Sequence, residues 1–99
     1  MINEVYEFKK EIKLSINKDK LTDLINDIKE YHKSNIVDIS IQDKNKIYVK
    51  FNRKLKHNVW DNYKLFDNII KKWTDNTEVP VYLLYDLYVI SSNECIIEF

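Results

Sequence analysis

A chain of 99 residues with 16 Lys plus Arg, 16 Asp plus Glu and no formal net charge holds one modest core, because folding at this size removes roughly two-thirds of the unfolded surface from water. The absence of net charge leaves no overall field to steer the chain toward nucleic acid or anionic lipid. Its single cysteine, Cys95, has no intrachain partner, which excludes a disulfide-stapled scaffold and points to a reducing compartment.

Glycine and alanine are both absent, while Lys, Asn, Ile and Tyr abound, the composition an AT-rich coding sequence produces. Without glycine there is no phosphate-cradling P-loop, no dinucleotide-binding turn and no nucleophile elbow, each of which needs positive φ or close backbone approach. The opening MINEVYEFKK has no basic region leading into an apolar run, and no stretch reaches the roughly 18 apolar residues that span a bilayer. A soluble, cytoplasmic protein with no membrane partner is expected.

Residues 5–16 alternate, with Tyr6, Phe8, Ile12, Leu14 and Ile16 on one face and Glu7, Lys9, Glu11, Lys13 and Ser15 on the other. Period two with one charged face predicts a half-buried strand. Asn17 then caps a helix over 18–33, whose stripe is Leu21, Leu24, Ile25, Ile28 and Tyr31. In 36–42, Val37, Ile39 and Ile41 alternate with Asp38, Ser40 and Gln42; a turn at Asp43, Lys44 and Asn45 leads to Ile47, Val49 and Phe51 alternating with Tyr48, Lys50 and Asn52. That pattern predicts a hairpin.

Asn58 reads as a second helix cap, with Asp61 in the first turn. The helix predicted over 59–75 carries Val59, Tyr63, Phe66, Ile70 and Trp73, widened by Trp60, Leu65 and Ile69. Pro80, which lacks a donor, suits the first position of a strand over 81–90. A turn at 91–94 and a short strand at 95–99 close the chain.

This order predicts a single α+β domain over 1–99: a two-layer, ferredoxin-like β-α-β-β-α-β arrangement with an added C-terminal hairpin strand, its two helices on one face of an antiparallel sheet. In that topology the strands run last, fourth, first, third, second across the sheet. On the fourth strand, Val81, Leu83, Tyr85, Leu87 and Val89 form the more apolar set and face the helices. Tyr82, Leu84, Asp86, Tyr88 and Ile90 face outward.

The outward set, with Tyr48 and Lys50 from the third strand, forms the first candidate surface: Tyr48, Lys50, Tyr82, Leu84, Asp86 and Tyr88. Tyrosine buries a large area at low entropic cost and keeps a polar tip, which enriches it at protein interfaces. Cross-strand aromatic pairs also stabilise a sheet with no partner at all.

The second candidate is basic. Lys44, Lys46, Lys50, Arg53, Lys54 and Lys56 fall within 44–57 with no acid among them. A patch of Lys44, Lys46, Arg53, Lys54 and Lys56 makes nucleic-acid binding the alternative function, and Arg53 through His57 leads into a helix N-terminus that favours an anion. RNA-recognition motifs share the strand and helix order, but their third-strand signature needs glycine, and here the matching first-strand face alternates Glu and Lys.

No catalytic residue, metal or cofactor is expected. Cys95, His32 and His57 lie on different elements without zinc-ligand spacing. His32, near a helix end, is expected at the surface, and His57 has no nucleophile in step with it. Glu7, Glu11, Asp38 and Asp43 with Lys13 compose a magnesium-nuclease set only if a solvated strand face is not the simpler reading. The strand Cys95 to Phe99, read as a sheet edge with Ile96, Ile97 and Phe99 exposed, offers a route to a homodimer.

In size, composition and freedom from motifs the chain resembles compact inhibitors encoded by phages and mobile elements, such as anti-CRISPR proteins, and toxin-neutralising immunity proteins. The resemblance rests on general character and carries no residue across. It implies a non-enzymatic protein-binding module that occludes a partner's functional surface.

Overall fold

The computed structural model describes residues 18–73 and 84–99. The strand expected over 5–16, with its magnesium candidates Glu7 and Glu11, lies outside the described residues, as do Pro80, Val81, Tyr82 and Leu83.

Helix α1, Lys18–His32, has Asp19 in its first turn and Lys29 in its last, charges that complement its dipole. Leu21, Leu24, Ile25 and Ile28 are buried as their spacing predicts. At the C-terminal end the stripe turns: His32, not Tyr31, is the buried residue, and Tyr31 is 52% exposed. A following residue in the left-handed region usually ends a helix, and glycine usually fills it. With no glycine in the chain, Lys33 takes that role at φ 40.

Strands β1, Ile36–Asp43, and β2, Lys46–Phe51, form the expected hairpin. The Asp43 carboxylate accepts from the Lys44 amide at 2.7 Å, fixing the two-residue turn. Next to it, the Asn45 side chain donates to the Phe99 carbonyl at 2.6 Å and the Asn45 carbonyl accepts from Phe99 N at 2.8 Å, so the turn clips the end of the chain. An irregularity between Ile36 and Asp38 leaves Val37 out of the pairing, and it is 59% exposed where strict alternation predicts burial.

The expected helix over 59–75 is broken. Its pieces are α2, Val59–Asn62, a 3₁₀ turn at Tyr63–Leu65, and α3, Asp67–Lys71. The Tyr63 carbonyl accepts from Phe66 N at 3.0 Å, an i→i+3 bond that tightens the turn, and sits 3.0 Å from the Tyr85 hydroxyl. That hydroxyl donates to Asp67 Oδ1 at 2.8 Å. Tyr85 thus packs against the interruption, where the apolar stripe alone predicts one rod.

Strand β3 covers only Asp86–Val89, and β4 covers Glu94–Glu98. The sheet is antiparallel in the order β1-β2-β4-β3. This differs from the expected order, because β4 takes the place beside β2 assigned to the first strand. It also removes the proposed dimer edge: β4 is paired on both sides, Ile97 and Phe99 are buried, and Ile96 is half-buried.

Two layers enclose the core. Ile47, Val49, Phe51, Cys95 and Ile97 line the inner sheet face; Leu24 and Ile28 from α1 and Ile69 and Ile70 from α3 pack onto it. The fold is therefore α+β, with a four-stranded antiparallel sheet among the described residues. None of the described helices is long and apolar enough to cross a membrane.

Candidate functional site

The register of β4 organises the outer sheet face. Ser40, Tyr48, Ile96 and Tyr88 stand opposite one another across β1, β2, β4 and β3. On one side of this row lie Asp38, Lys50 and Glu94, and on the other Lys46, Glu98 and Asp86. Alternation on β2 and β4 puts all of these on the face away from the helices.

Both tyrosines reach diagonally to acids on β4. The Tyr48 hydroxyl donates to Glu94 Oε2, and the Tyr88 hydroxyl donates to Glu98 Oε1 at 3.3 Å. Ser91 Oγ adds a second donor to Glu94, at 2.8 Å, and Lys46 Nζ lies 3.5 Å from Glu98. The hydrogen bond to Glu94, followed by burial, pushes the Tyr48 hydroxyl up to about 12. Bonds from Tyr48 and Ser91 hold the Glu94 carboxyl below its ordinary value. Burial and then the charges of Asp86 and Glu98 push Tyr88 up to about 12 as well. Neutral hydroxyls aimed at carboxylates orient both rings.

Of the first candidate surface, Tyr48, Lys50, Asp86 and Tyr88 share this face, with Tyr88 48% exposed. Leu84 does not belong to it. It is buried, 2% exposed, as is its neighbour Tyr85, because the chain joins the ladder only at Asp86 and strand alternation does not hold before that point. Tyr82 lies outside the described residues. Glu94 and Glu98 were missed by sequence reasoning, and Ile96 was assigned to a sheet edge instead, although Glu94, Ile96 and Glu98 alternate with Cys95, Ile97 and Phe99. With Asp38 and Asp86, the glutamates set four carboxylates against Lys46 and Lys50, so among the described residues this face is acidic around an apolar and aromatic centre.

The basic run does not form one patch. Lys44 is exposed at the hairpin turn, and Lys46 is held near Glu98. Arg53, Lys54 and Lys56 lie past the other end of β2, a strand of six residues at roughly 3.3 Å each. There they line a recess of about 320 Å³ with Phe51, Leu55 and Leu65. The expected helix N-terminus beyond it is weak, since α2 has four residues and the Asn58 side chain already accepts from Trp60 N.

The remaining chemical candidates are engaged or apart. His32 is buried, not at the surface as expected: its Nε2 lies 2.7 Å from the Leu65 carbonyl, and its ring stands edge-on to Phe51 and Phe66 at 5.3 and 6.0 Å. Burial lowers its pKa below 6.5. Burial likewise pushes the Cys95 thiol up to about 12. Asp38 and Asp43 sit on β1 with Asp43 committed to the turn. Among the described residues no three His, Cys, Asp or Glu side chains cluster as metal ligands do. No protein-family model matches the chain, and neither a curated protein nor a solved structure matches it.

Proposed function

We propose that the chain is a small non-enzymatic protein-binding module that acts by covering a partner's functional surface with its outer sheet face. The observation that carries this reading is the row Tyr48, Ile96, Tyr88, whose two rings are tethered by Glu94 and Glu98 on the strand between them. Pre-fixed aromatic side chains lose little rotamer freedom on docking, and a tyrosine presents an apolar body and a polar tip at once. The four surrounding carboxylates favour a basic partner surface and speed encounter with it. The partner is thus a protein with a basic surface around an apolar centre, and the general likeness to phage-encoded and immunity-type inhibitors supports an inhibitory outcome. Cytoplasmic action is part of the same reading.

Affinity capture with the intact chain, followed by hydrogen exchange of the complex, tests it. Protection is expected at the amides of β2, β3 and β4 that flank Tyr48, Ile96 and Tyr88. A captured partner that protects only α1 or the 53–57 loop rejects the assignment.

A further inference from the structure

The recess beyond β2 is separate from the sheet face and is built with different chemistry. Among the described residues its lining includes Arg53, Lys54 and Lys56 and no carboxylate. The ion pairs closer than 4 Å among the described residues are Lys33 with Glu30 and Lys46 with Glu98; none engages these three cations. Three like charges gathered at one recess repel one another until an anion arrives.

The loop that carries them has no helix or strand, yet its backbone is fixed at successive points. Asn52 N donates to the Asn35 carbonyl at 2.9 Å, and its side chain donates to the Ser34 carbonyl at 2.8 Å. Leu55 N donates to the Ser92 carbonyl at 2.7 Å. The fully buried Asn62 then holds Lys56 by both backbone groups, accepting from its N–H at 2.7 Å and donating to its carbonyl at 3.1 Å. The fixed backbone limits the main-chain entropy lost when the loop closes on a ligand.

We propose that this recess binds a small organic phosphate, a phosphate ester on an apolar or planar body. Arg53 presents a planar fork that matches phosphate oxygens, and Lys54 and Lys56 add point charges. Leu55 and Leu65 give the body an apolar wall. At about 320 Å³ the recess stands at the lower end of the range for small-molecule sites, roughly 300 to 1,000 Å³. A nucleic-acid strand fits less well. Reaching from this loop to Lys44 means following β2, where Asp38 and Glu94 flank Lys50 and oppose a phosphate backbone.

The test is an NMR titration of the isotope-labelled full chain with phenyl phosphate, inorganic phosphate, phenol and a short single-stranded oligonucleotide. Phenyl phosphate is expected to shift the amides of residues 53–56 and Asn62 saturably, inorganic phosphate to shift the same amides more weakly, and phenol to leave them in place. Arg53→Gln weakens phenyl phosphate roughly tenfold to a hundredfold, the loss of a charge-assisted hydrogen bond, while the rest of the spectrum stays as in the wild type; Lys56→Gln acts in the same direction. The proposal is overturned if phenyl phosphate leaves these amides unmoved, if Arg53→Gln binds it as well as the wild type, or if only a single-stranded oligonucleotide binds.

Discussion

Tyr48 and Glu94 are joined by a hydrogen bond across the outer sheet face although they do not stand opposite each other, since Tyr48 faces Ile96 and Glu94 faces Lys50. Tyr88, also opposite Ile96, reaches the other way along β4 to Glu98. The two rings are thereby tied to opposite ends of one strand with Ile96 between them. Packing alone does not fix a hydroxyl's direction, and the carboxylates do.

The Tyr48 to Glu94 bond has a signature at both ends of the pH scale. A tyrosine raised from 10.0 to about 12 contributes stability that is complete below pH 10.0 and lost as pH rises through about 12. Glu94, lowered from 4.5, contributes stability that is complete above that value and lost as pH falls through its native pKa. Site-resolved NMR of the tyrosine ring carbons, assigned with Tyr48→Phe, is expected to show the late titration, and Glu94→Gln is expected to return it toward 10.0. Ordinary titration of Tyr48 in the wild type contradicts the bond.

The Tyr85 hydroxyl sits at the break between α2 and α3. Tyr85→Phe removes the donor to half-buried Asp67 and is expected to lower stability by about 1–3 kcal/mol in urea denaturation. Burial already raises the Asp67 carboxyl, and the Tyr85 bond opposes that rise. The Phe variant is therefore also expected to titrate Asp67 at higher pH. An unchanged midpoint together with unchanged Asp67 titration argues against the contact.

His32 links stability to mild acid. Its pKa is lowered chiefly by burial and also by the charge of Arg53, against the opposing effect of the Leu65 bond. The unfolded chain therefore takes up a proton more readily than the native one, so stability falls as pH drops from 6.5 toward the lowered native value. Urea midpoints measured across that window are expected to slope in the wild type and flatten in His32→Gln, which keeps a donor but does not titrate. Equal slopes in both proteins assign the effect to another group.

Lys33 occupies a left-handed conformation that a side chain disfavours. Lys33→Gly relieves roughly 1–2 kcal/mol of crowding and adds roughly 0.5–1 kcal/mol of unfolded-state entropy, a net gain of about 0.5–1 kcal/mol. A lower thermal midpoint for the glycine variant contradicts this.

Part of the layering was legible because period decides it: the Leu21 to Ile28 stripe of α1 and the alternation of β2 follow from single-residue hydropathy. Two features were not. The α2 to α3 break coincides with contacts from Tyr85, distant in sequence, and no local pattern at 63–67 announces it. The pairing of β4 with β2 is a choice between partners that alternation leaves open, since either neighbour keeps Cys95 and Ile97 inside. The same ambiguity made Ile96 read as an edge residue and placed Leu84 outside, where the strand rule was extended past the strand. Tyr48 and Tyr88 were placed on the outer face because both stand on the polar half of their strands.

The outer-face account is tested most directly by the affinity of the captured partner for Tyr48→Ala/Tyr88→Ala, with the fold confirmed by NMR. If these rings are the anchors, binding weakens well over tenfold, more than 1.4 kcal/mol on the usual scale. Affinity equal to the wild type, in a folded double variant, contradicts the account.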